Sequence, residues 1–176
     1  MLAPSWKADF FDVADQAPSA APAGASVPRR YGSRLGTHGQ AIGRSKGGMT
    51  TKILALTDAL GNLVRFVLLP GQRFDTVGVA PLIDGLAFGG LIADKAFDSN
   101  AIIADLNERG AKIVISQHPR RSSPLPIDTE LYKWRHLIEN FFCKLKEFKR
   151  IAMRADKTDQ SFASMIHLAA AVINSR

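Results

Sequence analysis

The chain has 176 residues, enough for one domain with a real hydrophobic core, and 46% of them are apolar. Its single cysteine, Cys143, excludes an intramolecular disulfide and a cysteine-cluster metal site, and no apolar run approaches the roughly 20 residues of a membrane helix, so we expect a soluble cytoplasmic protein. Lys and Arg outnumber Asp and Glu by 23 to 16, which favours a polyanionic partner such as nucleic acid, although an evenly solvated basic surface gives the same count.

The first 40 residues differ in composition from the rest. They are rich in Ala and Ser, are punctuated by Pro and Gly, and show no sustained periodicity. This pattern predicts a loop or disordered segment over 1–40, with one short helix over 5–14. The folded domain is therefore predicted to cover 41–176.

From residue 41 the chain alternates between strand and helix patterns. Apolar runs at 51–58 and 63–69, separated by Gly61-Asn62, predict an antiparallel hairpin. Asp75 is a candidate N-cap for the helix that follows. Beyond the hairpin, the predicted helices are 75–86, 99–109, 128–149 and 158–174, and the predicted strands are 89–93 and 111–116. This order predicts an α/β fold with a mixed sheet joined by crossovers.

Asp94 is the first candidate for chemistry. It ends the apolar strand 89–93, and α/β sheets bind ligands at the carboxyl ends of their strands. An aspartate in this position also caps turns and short helices, and position alone does not separate the two roles.

The long predicted helix carries the second candidate, Glu139. Tyr132, Arg135, Glu139 and Lys146 follow one another at offsets of 3, 4 and 7, which keeps them within an arc of roughly 60° on the helix surface. The apolar residues lie on another face: Trp134, Leu137, Ile138, Phe141, Leu145 and Phe148. An ordinary solvated Arg135–Glu139 pair explains this stripe equally well.

Two carboxylates on different elements suit metal-assisted phosphodiester cleavage. Two Mg²⁺ ions about 3.5–4 Å apart can activate water and neutralise charge on the phosphate. Mg²⁺ prefers hard oxygen ligands, so neither His nor Cys is required. Cations beside such a site would hold the flanking DNA phosphates, and six candidates for DNA contact follow from this: Tyr132, Arg135, Lys144, Lys146, Lys149 and Arg150.

Three segments together resemble bacterial insertion-sequence transposases of the four and five superfamily. The Tyr132, Arg135, Glu139 and Lys146 spacing resembles the YREK signature of that family. The segment 94–98 (DKAFD) resembles its second-aspartate motif, and 42–53 (IGRSKGGMTTKI) resembles the region before its second strand. The three motifs occur in the family's order, and the likeness covers about 41–176.

The resemblance implies a ribonuclease H-like fold and a DDE mechanism. Asp94 would be the second acid and Glu139 the third, with Mg²⁺ or Mn²⁺ bound between them. The implied partners are duplex DNA, as element ends and as target, and further copies of the chain in the active assembly. No membrane and no small-molecule substrate are implied, and the location would be cytoplasmic at the nucleoid.

The chain departs from the family at the first aspartate. The family places that residue on a strand some 25 residues before the Gly43-Arg44-Ser45 motif, but here that stretch lacks a β-branched run. Asp12 and Asp15 lie near the right distance in the wrong setting. We therefore expect the first strand to be missing. The alternative function is a non-catalytic DNA-binding fragment that regulates an intact transposase, because binding needs only the cations whereas cleavage needs all three acids.

Overall fold

The computed structural model describes 39–46 and 48–175, together with two short strands nearer the N-terminus, β1 (Ser5–Trp6) and β2 (Phe11–Asp12). The predicted helix over 5–14 is wrong for these residues, since both pairs are extended. The rest of the segment predicted to be loop or disorder, up to residue 38, lies outside the described residues.

The elements follow the predicted alternation, with several bounds changed. The strands after β2 are β3 (Gly43–Ser45), β4 (Gly48–Thr57), β5 (Leu63–Pro70), β6 (Gly90–Ala93) and β7 (Lys112–Ile115). The helices are α1 (Val79–Ile83), α2 (Asn100–Glu108), α3 (Thr129–Tyr132), α4 (His136–Glu147), α5 (Lys149–Ala152) and α6 (Asp159–Asn174). A 3-10 turn precedes α1, another follows β6, and a third joins α3 to α4. The mixed α/β class is confirmed.

The sheet is built around β4. Its partner β5 pairs antiparallel along one side, as the Gly61 turn predicts, and Gly61 has the positive φ of 82° that this turn requires. On the other side β1 and β2 pair parallel to β4. β2 also pairs antiparallel with β6, with Asp12 opposite Leu91, and β6 pairs parallel with β7. Two short strands therefore precede the hairpin within the segment predicted to be loop or disorder, and β2 lies between β4 and β6.

Helices cover both faces of the sheet, and alternation along β4 assigns each face. Leu54 and Leu56 pack in one cluster with α1 and α2, whereas Ile53 and Ala55 pack in the other with α4, α5 and α6. A smaller cluster on the second face joins Ile92 of β6 and Val114 of β7 to α3 and the start of α4. Each strand residue thus faces the layer opposite to that of its neighbour.

Two predictions about helices are wrong. Asp75 does not cap the first helix; it is buried and accepts a hydrogen bond from Lys52 at 2.8 Å. The predicted helix 128–149 is interrupted by the 3-10 turn Lys133–Arg135 and ends at Glu147. A 3-10 turn has three residues per turn instead of 3.6, so side chains there leave the helical stripe. Trp134, predicted to face the core, is consequently 48% exposed.

Candidate active site and basic surface

Asp94 directly follows β6 in extended backbone conformation, with φ −72° and ψ 163°. Its Oδ1 accepts a hydrogen bond from the Ala96 amide at 3.3 Å, so the side chain caps the 3-10 turn Lys95–Phe97. The carboxylate is half-buried. The capping role that the sequence left open is therefore present, and a carboxylate oxygen that caps a turn keeps lone pairs for another ligand.

Alternation along β6 decides which face of the sheet Asp94 shares. Leu91 and Ala93 pack with α1 and α2, whereas Ile92 packs in the cluster that contains Tyr132 and Leu137. Asp94 lies two residues beyond Ile92 in extended backbone, so it belongs to the same face as Ile92. That face is the one covered by α3 and α4.

Three of the four signature residues on the long helical segment, Tyr132, Arg135 and Glu139, form a continuous series of contacts. The ring of Tyr132 packs against the Ile92 and Val114 cluster. The guanidinium carbon of Arg135 lies 5.7 Å from the centre of that ring, and Arg135 donates to Glu139 Oε1 at 2.5 Å. A continuous chain of contacts therefore links the strand before Asp94 to Glu139. The Glu139 side chain is 51% exposed, which leaves it accessible to a ligand.

The helical segment starts at the opposite end of the sheet from Asp94. Asp128 caps α3 by accepting from the Leu131 amide at 3.0 Å, and it also accepts from Lys112 Nζ at 2.7 Å, at the start of β7. The Lys112 hydrogen bond, assisted by that of Leu131, holds the pKa of Asp128 below its ordinary value.

The remaining predicted DNA contacts differ in their surroundings. Lys144, Lys146 and Lys149 are exposed on α4 and α5. Arg150 is exposed too, but it donates two hydrogen bonds, of 3.1 and 2.7 Å, to the buried carboxylate of Asp156. The Asp156 bond raises the pKa of Arg150 above its ordinary value. Part of the charge that the sequence assigned to DNA is thus already balanced within the fold.

Asp98 makes contacts that the sequence did not predict. This residue belongs to the 94–98 motif, and its nearly inaccessible carboxylate pairs with Arg121 and accepts from the His118 amide at 2.8 Å. The pair joins the turn after β6 to the loop after β7. The only signal in the sequence was the basic character of that loop, which does not identify the acid it meets.

Comparisons with known proteins agree with the resemblance. The family model described as transposase DDE domain matches residues 25–174. A protein of Brucella ovis described as a transposase for insertion sequence element IS6501 is 43% identical over 129 residues, which are 71% of this chain and 98% of that protein. A search of solved structures found no match. Within the described residues, no helix is long and apolar enough to cross a membrane.

Proposed function

The chain belongs to the DDE transposase family, and from this premise we propose that it cuts DNA at the ends of a bacterial insertion sequence and joins the freed ends to a target. In the proposed reaction water attacks a backbone phosphate and breaks its bond to the 3′-oxygen; the 3′-hydroxyl so released then attacks a phosphate of the target and displaces the 3′-oxygen of the target strand. Duplex DNA is the substrate, and several copies of the chain form the active assembly. We assign the domain to the ribonuclease H-like class, which the mixed sheet with helices on both faces supports.

The observation that carries the proposal is the chain of contacts from Ile92 through Tyr132 and Arg135 to Glu139. These contacts connect Tyr132, Arg135 and Glu139 to β6, the strand that Asp94 follows. Arg135 then has two roles: it holds the Glu139 carboxylate in one rotamer, and its guanidinium would add positive charge beside a DNA phosphate. A solvated i,i+4 pair alone would not require the aromatic contact with the β6 cluster.

DDE transposase domains generally use divalent metal ions. The carboxylates of Asp94 and Glu139 have the hard oxygens that Mg²⁺ or Mn²⁺ prefers. Among the described residues, however, no group of three His, Cys, Asp or Glu side chains could hold an ion, so the fit is partial. When bound, the ions would stabilise charge on the phosphate oxygens and lower the pKa of the attacking water.

Asp12 and Asp15 remain the two candidates for the missing acid by sequence distance. Asp12 ends β2, between β4 and β6, and pairs with Leu91, three residues before Asp94 on the neighbouring strand. Directly paired residues lie on the same face of a sheet, so this register places Asp12 on the face of Leu91, opposite to the face of Asp94, and argues against it. Asp15 is the competing candidate by sequence distance, and it lies outside the described residues.

The exposed cations would hold DNA on either side of the cut. Lys144, Lys146 and Lys149 extend from the Glu139 helix onto α5 and would contact phosphates, setting affinity without sequence preference. Tyr132 and Arg135 would act nearer the reacting phosphate. Arg150 would contribute less than the lysines because Asp156 already binds it.

Replacement of Glu139 by Gln tests the proposal, with Glu147→Gln as the matched control on the same helix. Both glutamates are exposed, so neither change should disturb the fold. On a duplex carrying the terminal sequences of the element, E139Q should lower Mg²⁺-dependent cleavage at least about 100-fold, since a lost metal ligand removes several kcal/mol of transition-state stabilisation. DNA binding should survive. Equal cleavage by E139Q and E147Q would end the assignment of Glu139.

The second candidate function is a DNA-binding regulator without catalysis, and the exposed cations Lys144, Lys146 and Lys149 support it, because they need no acid to bind DNA. It predicts DNA binding by the wild-type chain with no cleavage in Mg²⁺ or Mn²⁺. If cleavage occurs, Asp12→Asn should leave it intact, because the register places Asp12 on the other face of the sheet from Asp94, and Asp15→Asn should abolish it. Loss of cleavage in Asp12→Asn alone would assign the third acid to Asp12.

A further inference from the structure

A polar cavity of about 380 Å³ lies beyond the end of β7, next to the turn that follows Asp94. This loop pocket is bounded by residues of two segments: Asp98, Asn100, His118, Arg120, Arg121, Ser122 and Ser123. Its volume equals that of about a dozen liquid water molecules, which leaves room for a phosphate group.

The loop that forms most of the pocket is held in one conformation at its base and its tip. At the base, the Gln117 side chain accepts from the Leu125 amide at 2.7 Å and donates to the Leu125 carbonyl. At the tip, the Arg121 amide donates to the His118 carbonyl at 2.9 Å, which closes a four-residue turn with Pro119 at its second position. Arg120 thus occupies the third position of a fixed turn, so binding orders little backbone.

Arg121 positions the loop and does not serve as a free cation. Its guanidinium donates to the Asp98 carboxylate, to the Asn100 side chain at 2.6 Å and to the Ser123 carbonyl at 3.0 Å. Only 15% of the Arg121 side chain and 3% of the Asp98 side chain are exposed. The negative charge of Asp98 is therefore neutralised inside the pocket wall, where it would otherwise repel an anion.

The groups left to face a ligand are hydrogen-bond donors. Among the described residues, the Arg120 side chain has no hydrogen-bond or ion-pair partner, and it is exposed. The His118 Nδ1 accepts from the Arg120 amide at 3.2 Å, so in the neutral ring the proton is on Nε2 and is available for donation. Ser122 and Ser123 are exposed residues that line the same pocket.

We propose that the loop pocket binds one phosphate group of the DNA backbone, with Arg120 as its ion-pair donor and His118, Ser122 and Ser123 as hydrogen-bond donors. A guanidinium beside hydroxyl groups is the donor set that phosphate oxygens accept. DNA as the source of the phosphate rests on the proposed function. The Ser116 amide at the start of the loop donates to the Ala93 carbonyl at 3.1 Å, so a phosphate bound here would lie close to the strand end that Asp94 follows.

The first test uses inorganic phosphate and the full chain, followed by amide chemical shifts in NMR. The matched variants are Arg120→Gln and Lys112→Gln, which remove one charge each. Lys112 begins β7, at the opposite end of that strand from the pocket. The wild type and K112Q should show saturable shifts at the amides of 118–123, and R120Q should bind phosphate at least about tenfold more weakly. Absence of shifts in this loop for the wild type, or equal binding by R120Q, would overturn the proposal.

The second test measures the affinity of the same variants for a short duplex at several salt concentrations. Log affinity falls as log salt rises, and loss of one phosphate contact makes this negative slope shallower by about 0.9. R120Q should show this decrease in steepness and K112Q should not. An equal decrease in both variants would refute a specific site. A wild type that binds phosphate in the loop but binds no DNA would contradict DNA as the source and the proposed function, and leave phosphate recognition standing.

Discussion

Arg154→Ala should destabilise this fold severely, because the buried guanidinium joins the segment before β3 to the start of α6. Its Nη1 donates to the Ala41 carbonyl at 3.1 Å and to the Thr51 hydroxyl. Its Nη2 donates to Asp159, whose other oxygen accepts from the Ala41 amide at 2.6 Å. The ring of Phe162 lies 4.8 Å from the guanidinium carbon, and the Arg154 side chain is 0% exposed.

The magnitude follows from what each group loses. Breaking a buried pair costs about 3–5 kcal/mol when the surviving partner stays buried. Asp159 is 31% exposed and can recover water, and the Arg154 Nε already lacks a partner among the described residues, so we expect a loss near the lower limit, about 3 kcal/mol. The Ala41 carbonyl keeps its bond from Thr51. Arg154 also has a φ of 40°, so Arg154→Gly should be about 1 kcal/mol less destabilising than Arg154→Ala.

The free energy of unfolding of both variants can be measured by urea unfolding followed by far-UV circular dichroism. Equal values of m, the dependence of that free energy on urea concentration, would show that the same surface is exposed on unfolding. A free energy of unfolding for Arg154→Ala within about 1 kcal/mol of the wild-type value would refute the reasoning, because loss of a buried ion pair costs more than that. It fails separately if Arg154→Gly is less stable than Arg154→Ala, which would mean that the backbone there carries no strain.

Three further changes test local parts of the fold. Ile138→Ala removes a fully buried side chain of α4 and should cost about 2–5 kcal/mol in urea unfolding; a loss below 1 would show that the helix is not packed there. Gly110→Ala should cost about 1 kcal/mol from its φ of 68° alone, as nothing lies within 4 Å of the added methyl, and Gly110→Asn should cost less. The lowered pKa of Asp128 means that its ionised form stabilises the fold above its ordinary value of 3.8 and that this contribution is lost as pH falls through the folded value. The stability difference between wild type and Asp128→Asn should therefore shrink on acidification below pH 3.8, and a constant difference would contradict the pairing with Lys112.

The local sequence predicted the elements whose hydrogen bonds join residues close together along the chain. The Gly61 turn closes the β4 and β5 hairpin, Gly110 ends α2 in the left-handed conformation, and Thr158 caps α6 by accepting from the Ser161 amide. The helix stripe of Tyr132, Arg135 and Glu139 was equally predictable, because offsets of three and four residues place side chains together on any helix. The family motifs added the expected roles of these residues.

Contacts between distant parts of the chain were decided by tertiary structure alone. A carboxylate such as Asp75 could cap a helix or pair with a lysine 23 residues away, and only packing of the hairpin against α1 selects the pair with Lys52. In the same way, the local sequence does not predict a strand at Phe11–Asp12. A strand of two residues is stable only when neighbouring strands pair with it, here β4 and β6. Composition and periodicity therefore predict the hydrogen bonds within one segment of the chain. Which acid meets which cation depends on how the layers assemble, since each pair gains free energy only after the sheet has brought its members together.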